Sequence, residues 1–188
     1  MDVPRKSGKE KIVYQSREFE VIKQPMKIGN KKFEVEIARR SPGVRLLILK
    51  DKKILLTREF RTELNGYDYR LPGGKVFESI KEYHSALEKK EDILNHATDA
   101  AKKECAEETG LNPLKLKHIY TSTAGLTVVW DLFYFLVSEF KVQKQNLGTG
   151  EVIIPEWYSF KDIKNMCLND NIKEDRTVAV LLRFLKNY

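Results

Sequence analysis

Hydrophobic and polar residues alternate within the first forty positions in a way that predicts a β-hairpin. Phe33, Val35 and Ile37 share one face of the segment 32–38, and the segment 19–24 also reads as a strand. The dipeptide Gly29-Asn30 lies between the two segments and is suited to a tight turn. Because an isolated hairpin is only marginally stable in water, we expect it to pack on the rest of the chain or on a second subunit.

A nearly continuous apolar run at 43–49 is typical of a central strand that is covered on both faces. A partner strand is predicted at 53–61 and a polar loop at 62–70. Additional strands are predicted at 116–120, 128–137, 152–154 and 157–160.

Two helices are predicted near the C-terminus, a short one from Lys161 and a longer one from Asp175 to Leu185. The longer helix has an apolar stripe that should face the core, formed by Val178, Leu181, Leu182 and Leu185. The sequence therefore predicts an α/β (α+β) fold, in which a mixed sheet lies between helices in an α/β/α sandwich, with the β-hairpin added at the N-terminus.

The composition adds the broad class of protein. Hydrophobic residues make up 41% and charged residues 32% of the 188 positions, which describes one soluble globular domain with a proper core. No apolar run is long enough to span a bilayer and the N-terminus lacks a signal-peptide core, so we expect a cytoplasmic protein without a membrane partner. Cys105 and Cys167 have no metal-ligand spacing, and we expect both thiols to be free.

The net charge is +7, and the first forty residues carry eleven basic and six acidic side chains. A basic balance suits an anionic partner, either a phosphorylated small molecule or a nucleic acid. No cluster of basic and aromatic residues resembles a nucleic-acid-binding module, so a nucleic-acid partner is the less favoured alternative.

The candidate chemistry lies in a short acidic segment, 103–111, read together with Leu71-Pro72-Gly73-Gly74-Lys75 upstream. Glu104, Glu107 and Glu108 stand at i, i+3 and i+4, so that all three carboxylates leave one face of a helix, which Gly110 would end. Like charges this close repel one another unless a cation lies among them. Carboxylate oxygens are the ligands that Mg²⁺ and Mn²⁺ prefer.

These segments resemble the Nudix box, G-x5-E-x7-R-E-U-x-E-E-x-G-U, in which U is aliphatic. The run 100–111 is similar to its second half, with Lys103 in place of the arginine, and Gly74 matches its first glycine. Lysine keeps the positive charge but loses the bidentate fork of arginine.

The sequence departs from the motif between these two halves, because Gly74 and Lys103 are 29 positions apart and fifteen residues are extra. The insert at 79–94 reads as one helix, which Ser79 could cap, and it suits either additional packing surface or a lid or dimer contact. Counted back along the helix from Lys103, Asn95 occupies the position of the motif's first glutamate. An amide cannot replace that carboxylate. Glu78 and Asp99 are the candidates to pair with Lys103 instead.

The layout from Phe33 onward is similar to the branch of the family that contains the ADP-ribose pyrophosphatases and nucleoside-diphosphate-sugar hydrolases. The resemblance implies metal ligands at the Gly73 carbonyl, Glu104, Glu107 and Glu108, with Mg²⁺ as the cofactor and Mn²⁺ as an alternative. Glu104 and Glu108 are also the expected catalytic residues. The resemblance further implies a homodimer built through the N-terminal region, so we divide the chain into 1–40, the tail and hairpin, and 41–188, the catalytic domain with its helical insert.

The same resemblance supplies the remaining site residues. Glu59-Phe60-Arg61 matches the end of a family strand whose arginine binds the substrate phosphate, and we place Arg70 and Gly74 with Arg61 at the substrate. The segment 150–157 is similar to E-x-x-E-x-x-W, and the resemblance makes Glu151 the expected catalytic base or additional metal ligand, with Glu156 as its competitor.

The predicted function is hydrolysis of a nucleoside diphosphate linked to another moiety, with ADP-ribose yielding AMP and ribose 5-phosphate as the leading case. Other nucleotides stay open: a nucleotide sugar, a dinucleotide, an oxidised nucleoside triphosphate or an RNA end. A non-catalytic nucleotide-binding module is the alternative from a different class.

Overall fold

The computed structural model describes residues 2–125, 127–186 and 188. Eleven strands are described, in chain order: β1 (Arg5–Lys6), β2 (Lys11–Gln15), β3 (Phe19–Ile28), β4 (Lys31–Arg40), β5 (Gly43–Lys50), β6 (Lys53–Arg61), β7 (Gly66–Arg70), β8 (Leu111–Ser122), β9 (Val128–Val129), β10 (Leu132–Val142) and β11 (Ile153–Ser159). The helices are α1 (Ile80–Glu88), α2 (Ile93–Thr109), α3 (Phe160–Leu168) and α4 (Asp175–Leu185), with a 3₁₀ turn at Thr62–Leu64.

The strands form two sheets. The larger sheet has the order β11-β6-β5-β10-β8, with β7 also paired to β6, and it is mixed because β10 runs parallel to β5. The smaller sheet has the order β1-β3-β4-β9, with β2 paired to β3. The predicted hairpin is confirmed as β3 and β4, which are longer than expected and turn at Gly29, where φ is +54°.

Helices cover both faces of the larger sheet. On one face, Leu46 and Ile48 of β5 pack with Ala101 and Cys105 of α2. On the other face, Leu47 of the same strand packs in a cluster with residues of α3 and α4. Successive side chains of a strand point to opposite faces, so the apolar run of β5 supplies both cores at once. The predicted α/β/α sandwich is confirmed.

The C-terminal helix spans Asp175–Leu185 as predicted. Its buried face differs at two positions from the predicted stripe, because Thr177 and Val180 are buried whereas Val178 and Leu182 are only partly so. Both cysteines are free thiols, also as predicted.

The prediction of a loop across 62–70 was wrong, since residues 66–70 form β7 and pair with the end of β6. The prediction of one helix across 79–94 was also wrong. α1 stops at Glu88, Lys90 adopts a positive φ of +56°, and Asp92 accepts a hydrogen bond from the Leu94 amide at 2.9 Å to start α2. Ser79 caps α1 as expected, accepting from the Glu82 amide at 3.2 Å.

The smaller sheet is joined to the inserted helix by buried polar contacts. The Ile80 amide donates to the Arg17 carbonyl at 2.9 Å. The fully buried Glu20 lies 3.0 Å from His84 Nε2 and accepts from Arg39 at 2.9 Å. Within the described residues, no helix is long and apolar enough to cross a membrane.

Candidate active site

A glycine bend follows β7 and runs alongside β5. The Leu46 amide donates to the Pro72 carbonyl at 2.8 Å, and the Val44 amide donates to the Gly74 carbonyl at 2.9 Å. Gly73, between them, has a φ of +146°, and a Cβ there would lie 2.1 Å from the Val44 carbonyl oxygen. Only glycine fits this conformation and this close approach.

The bend meets the acidic face of α2. The Gly73 amide donates to Glu108 Oε2 at 2.7 Å. A Cβ on Gly74 would lie only 2.2 Å from Glu104 Oε1, so this carboxylate packs directly on the backbone of the bend. Glu107, one turn from Glu104, is more exposed and lies 4.0 Å from Lys103 Nζ. The structure thus brings Gly73, Gly74, Glu104 and Glu108 together.

Both inner carboxyls are unfavourably placed for a negative charge. Burial, with the neighbouring Glu107, raises the pKa of Glu104 to about 7. Burial, followed by the charges of Glu59 and Glu104, raises the pKa of Glu108 well above its usual range, and the hydrogen bond from Gly73 only partly offsets this. A bound cation would favour the ionised form of both groups.

The side chains at the bend decide whether the site suits such a cation. Within the described part of the chain, no three carboxylate, imidazole or thiol groups converge into a ready-made ion site. The residues nevertheless have the right chemistry. The carboxylates of Glu104 and Glu108 have raised pKa values, and both lie against the bend, whose Pro72 and Gly74 carbonyls accept hydrogen bonds from β5. Hard oxygen donors of this kind fit Mg²⁺ or Mn²⁺.

The two predicted substrate-binding arginines flank this region. Arg61 ends β6 and is paired with Glu59. The charge of Glu59 helps to raise the pKa of Glu108. Arg70 ends β7, directly before the bend, and lies 2.6 Å from Asp68. Both arginines are partly exposed. Arg70 adjoins the bend, whereas Arg61 lies opposite Gly66, at the other end of β7.

Of the two candidates for the base, Glu151 lies on the side of α2. Its charge contributes to the raised pKa of Glu104, and its loop is fastened to the end of α2, where the Asn146 amide donates to the Glu107 carbonyl at 3.1 Å. Glu156 lies 3.5 Å from Arg58 and accepts from Tyr158, a residue of the core cluster under α3 and α4. The geometry therefore separates Glu156 from the acidic face of α2 and favours Glu151.

The predicted pairing of Lys103 was wrong. Asp99 pairs with Lys102 at 3.0 Å, and Glu78 pairs with Arg17 at 3.6 Å. Among the described residues, the acid that forms an ion pair with Lys103 is Glu107, one turn ahead on the exposed face of α2. Glu78 does lie near the site, since its charge adds to the raised pKa of Glu104.

Two residues next to the site, Glu59 and Gln145, were not among the predicted site residues. Gln145 Nε2 donates to the carbonyls of Glu108 and Ile153, which joins the end of α2 to the start of β11. Nothing in the sequence marks this long-range contact. The position of Glu59 could have been predicted. It stands two residues before Arg61, so both side chains lie on the same face of their strand.

A glycine bend against clustered acids on an α/β/α sandwich is suited to a hydrolase of phosphate anhydrides. The NUDIX domain model matches residues 39–181. The chain belongs to the Nudix family and is a Nudix hydrolase of the pyrophosphatase type; members of this family generally use divalent cations.

A solved structure described as the "Crystal structure of ADP compounds hydrolase" has the same fold. Its TM-score to this chain is 0.73 at 16% sequence identity, and the match covers 98% of this chain and 92% of that one. No curated protein matches the sequence.

Proposed function

We propose that the protein is a divalent-cation-dependent pyrophosphatase that hydrolyses ADP-ribose to AMP and ribose 5-phosphate. The observation that carries the proposal is the contact of Glu104 and Glu108 with the Gly73–Gly74 bend, which concentrates carboxylate charge at one backbone turn. The likeness to an ADP compounds hydrolase supports the choice of an adenosine diphosphate derivative.

Glu104, Glu107, Glu108 and the carbonyl of Gly73 would hold the cation, with Mg²⁺ proposed and Mn²⁺ as the alternative. Such a cation neutralises charge on the diphosphate oxygens and lowers the pKa of bound water. The raised pKa values of Glu104 and Glu108 support these ligands, since both carboxyls lack a neutralising charge of sufficient strength in the protein itself.

We propose the remaining roles as well. Arg61 and Arg70 bind the diphosphate, and the absence of a side chain at Gly74 lets the substrate approach the backbone. Glu151 accepts a proton from the attacking water. The water oxygen bonds to one phosphorus while the bond from that phosphorus to the bridging oxygen breaks, and the bridging oxygen leaves with the other phosphate.

The test is a substrate panel measured with and without Mg²⁺: ADP-ribose, a nucleotide sugar, a dinucleotide and an oxidised nucleoside triphosphate. We expect the highest kcat/KM for ADP-ribose, with AMP and ribose 5-phosphate as products and no turnover in EDTA. Glu108→Gln should abolish turnover and leave the fold intact. A higher kcat/KM for another member of the panel would reassign the substrate, and undiminished activity of Glu108→Gln would move the chemistry elsewhere.

We also propose a homodimer formed through the smaller sheet. β4 pairs along its whole length with β3, but on its other side the described pairing is a short one, in which Ala38 and Arg39 meet β9. An open strand edge is a template for pairing with another strand, and Phe33 and Val128 near it are exposed. Light scattering on the purified protein should give twice the monomer mass of 21.9 kDa, and a monomer would refute the assembly.

A further inference from the structure

Two acid–arginine pairs lie side by side on β6 and β7. On β6, Glu59 is paired with Arg61. On β7, Asp68 is paired with Arg70 at 2.6 Å. In each pair the acid stands two residues before the arginine, so both side chains leave the same face of their strand.

The pairing register sets these residues next to one another. Glu59 lies directly opposite Asp68, while Arg70 lies opposite Thr57 and Arg61 opposite Gly66. Two like charges in register on neighbouring strands are unfavourable. The two arginines, one at each end of the acidic pair, supply the compensating charge.

The acids are much more deeply buried than the arginines. Glu59 is 6% exposed and Asp68 1% exposed. The side chain of Arg61 is 37% exposed and that of Arg70 24%. The acids therefore form a fixed inner layer, and the more exposed guanidinium groups lie outside them, one at each end of the acidic pair.

Further hydrogen bonds fix the acids themselves. Glu59 Oε1 accepts from Thr57 Oγ1 at 2.9 Å, and Thr57 is fully buried. Asp68 Oδ1 accepts from the Lys173 amide at 3.4 Å, at the connection that leads into α4. Thr57 Oγ1 also lies 3.4 Å from the Arg70 carbonyl oxygen, which brings both pairs close to the start of the bend.

We infer that Glu59 and Asp68 are positioning residues, which hold Arg61 and Arg70 as a pair of cations for the two phosphates of one diphosphate group. The inference rests on the proposed function. Glu59 and Asp68 would act by holding the two arginines in place, without contacting the substrate themselves. An arginine side chain loses substantial conformational freedom when it binds. Arginines that are already fixed to buried acids lose less of it, so they bind a diphosphate more tightly.

The test measures binding as well as turnover. Calorimetry would give the Kd of ADP-ribose with a methylene group in place of the bridging oxygen, in the presence of Mg²⁺, and kinetics with ADP-ribose would give kcat and KM. Glu59→Gln and Asp68→Asn should each raise Kd and KM about tenfold, the effect of one lost charge-assisted contact, and change kcat less than about threefold.

A double-mutant cycle separates positioning from general structural support. If Glu59 acts through Arg61, then Glu59→Gln should change Kd less than about twofold in an Arg61→Ala background. Equal effects of Glu59→Gln in both backgrounds would overturn the inference. Thr57→Val provides a second test in case Glu59→Gln fails to fold, because it removes one hydrogen bond to Glu59 and keeps every charge. We expect it to raise Kd about threefold, and an unchanged Kd would count against the inference.

The matched control is Glu156→Gln, which breaks the pair with Arg58 on the same strand β6 and should leave Kd unchanged. The results also separate this inference from the proposed function. If the wild-type protein binds the analogue but hydrolyses no diphosphate, the proposed function fails and the cycle still decides the role of the acids. If the wild-type protein binds no diphosphate at all, both are refuted.

Discussion

Replacement of Gly74 by alanine should remove most of the activity and leave the protein folded. A Cβ at this position would lie 2.2 Å from Glu104 Oε1 and 2.5 Å from Glu104 Cδ, whereas ordinary contact begins at 3.4 Å. The carboxylate must therefore move by about 1 Å, and a misplacement of that size in an active site costs about 10²-fold in rate. We expect kcat/KM for ADP-ribose to fall by about that factor.

The stability of the Gly74→Ala variant should change by less than about 1 kcal/mol, because the group that must yield is the far end of a flexible side chain. Alanine also restricts the unfolded chain, which favours folding by about 0.4–1 kcal/mol. Urea denaturation monitored by circular dichroism measures this term. A folded Gly74→Ala variant with the activity of the wild-type protein would refute the placement of Glu104 in the reaction.

Two other glycines serve as controls. At Gly73 the added Cβ would meet the Val44 carbonyl at 2.1 Å, which is backbone that cannot swing away, so Gly73→Ala should destabilise the whole fold. At Gly8 the nearest atoms are 3.6 Å away in the ring of Pro25, and Gly8→Ala should change neither activity nor stability.

Three further predictions concern single acids. Glu151→Gln should lower kcat about 10²–10⁴-fold, while Glu156→Gln should retain wild-type kcat; the reverse result would exchange their roles. In EDTA the stability associated with Glu104 should be fully present below pH 4.5 and lost as pH rises through about 7, a change of about 3 kcal/mol in the free energy of unfolding that a flat pH profile would contradict. Glu174→Ala should destabilise the protein by about 3–5 kcal/mol in urea, because it leaves the buried Arg45 unpaired, and a loss below about 1 kcal/mol would contradict this reasoning.

The parts of the fold that depend on local pattern could be predicted. The helix Asp175–Leu185 has an apolar stripe, and the strand at β5 has an apolar run that only a doubly covered position explains. Glu104 and Glu108 were also predictable, since helical spacing alone places them on one face, and Gly110 ends their helix with a positive φ of +67°.

The parts that depend on partners far along the chain could not be predicted. Glu156 lies away from α2 because of the register in which β11 pairs with β6. The sequence of neither strand predicts this register. The break after α1 needs Lys90 in a left-handed conformation, which its residue type does not favour. Asp99 and Glu107 each stand one helical turn from Lys103, and helical spacing alone does not decide which of them pairs with it.

The attachment of the inserted helix to the smaller sheet bears on how the chain can be shortened. Ile80 is fully buried, its amide is bonded to Arg17, and Glu20 holds both Arg39 and His84. Deletion of the first forty residues would remove the carbonyl that accepts from the Ile80 amide and the carboxylate that lies 3.0 Å from His84 Nε2, in the segment that follows the glycine bend. Truncated versions intended for crystallisation or for assay should therefore retain these strands, because their loss would loosen the segment that joins the bend to α2.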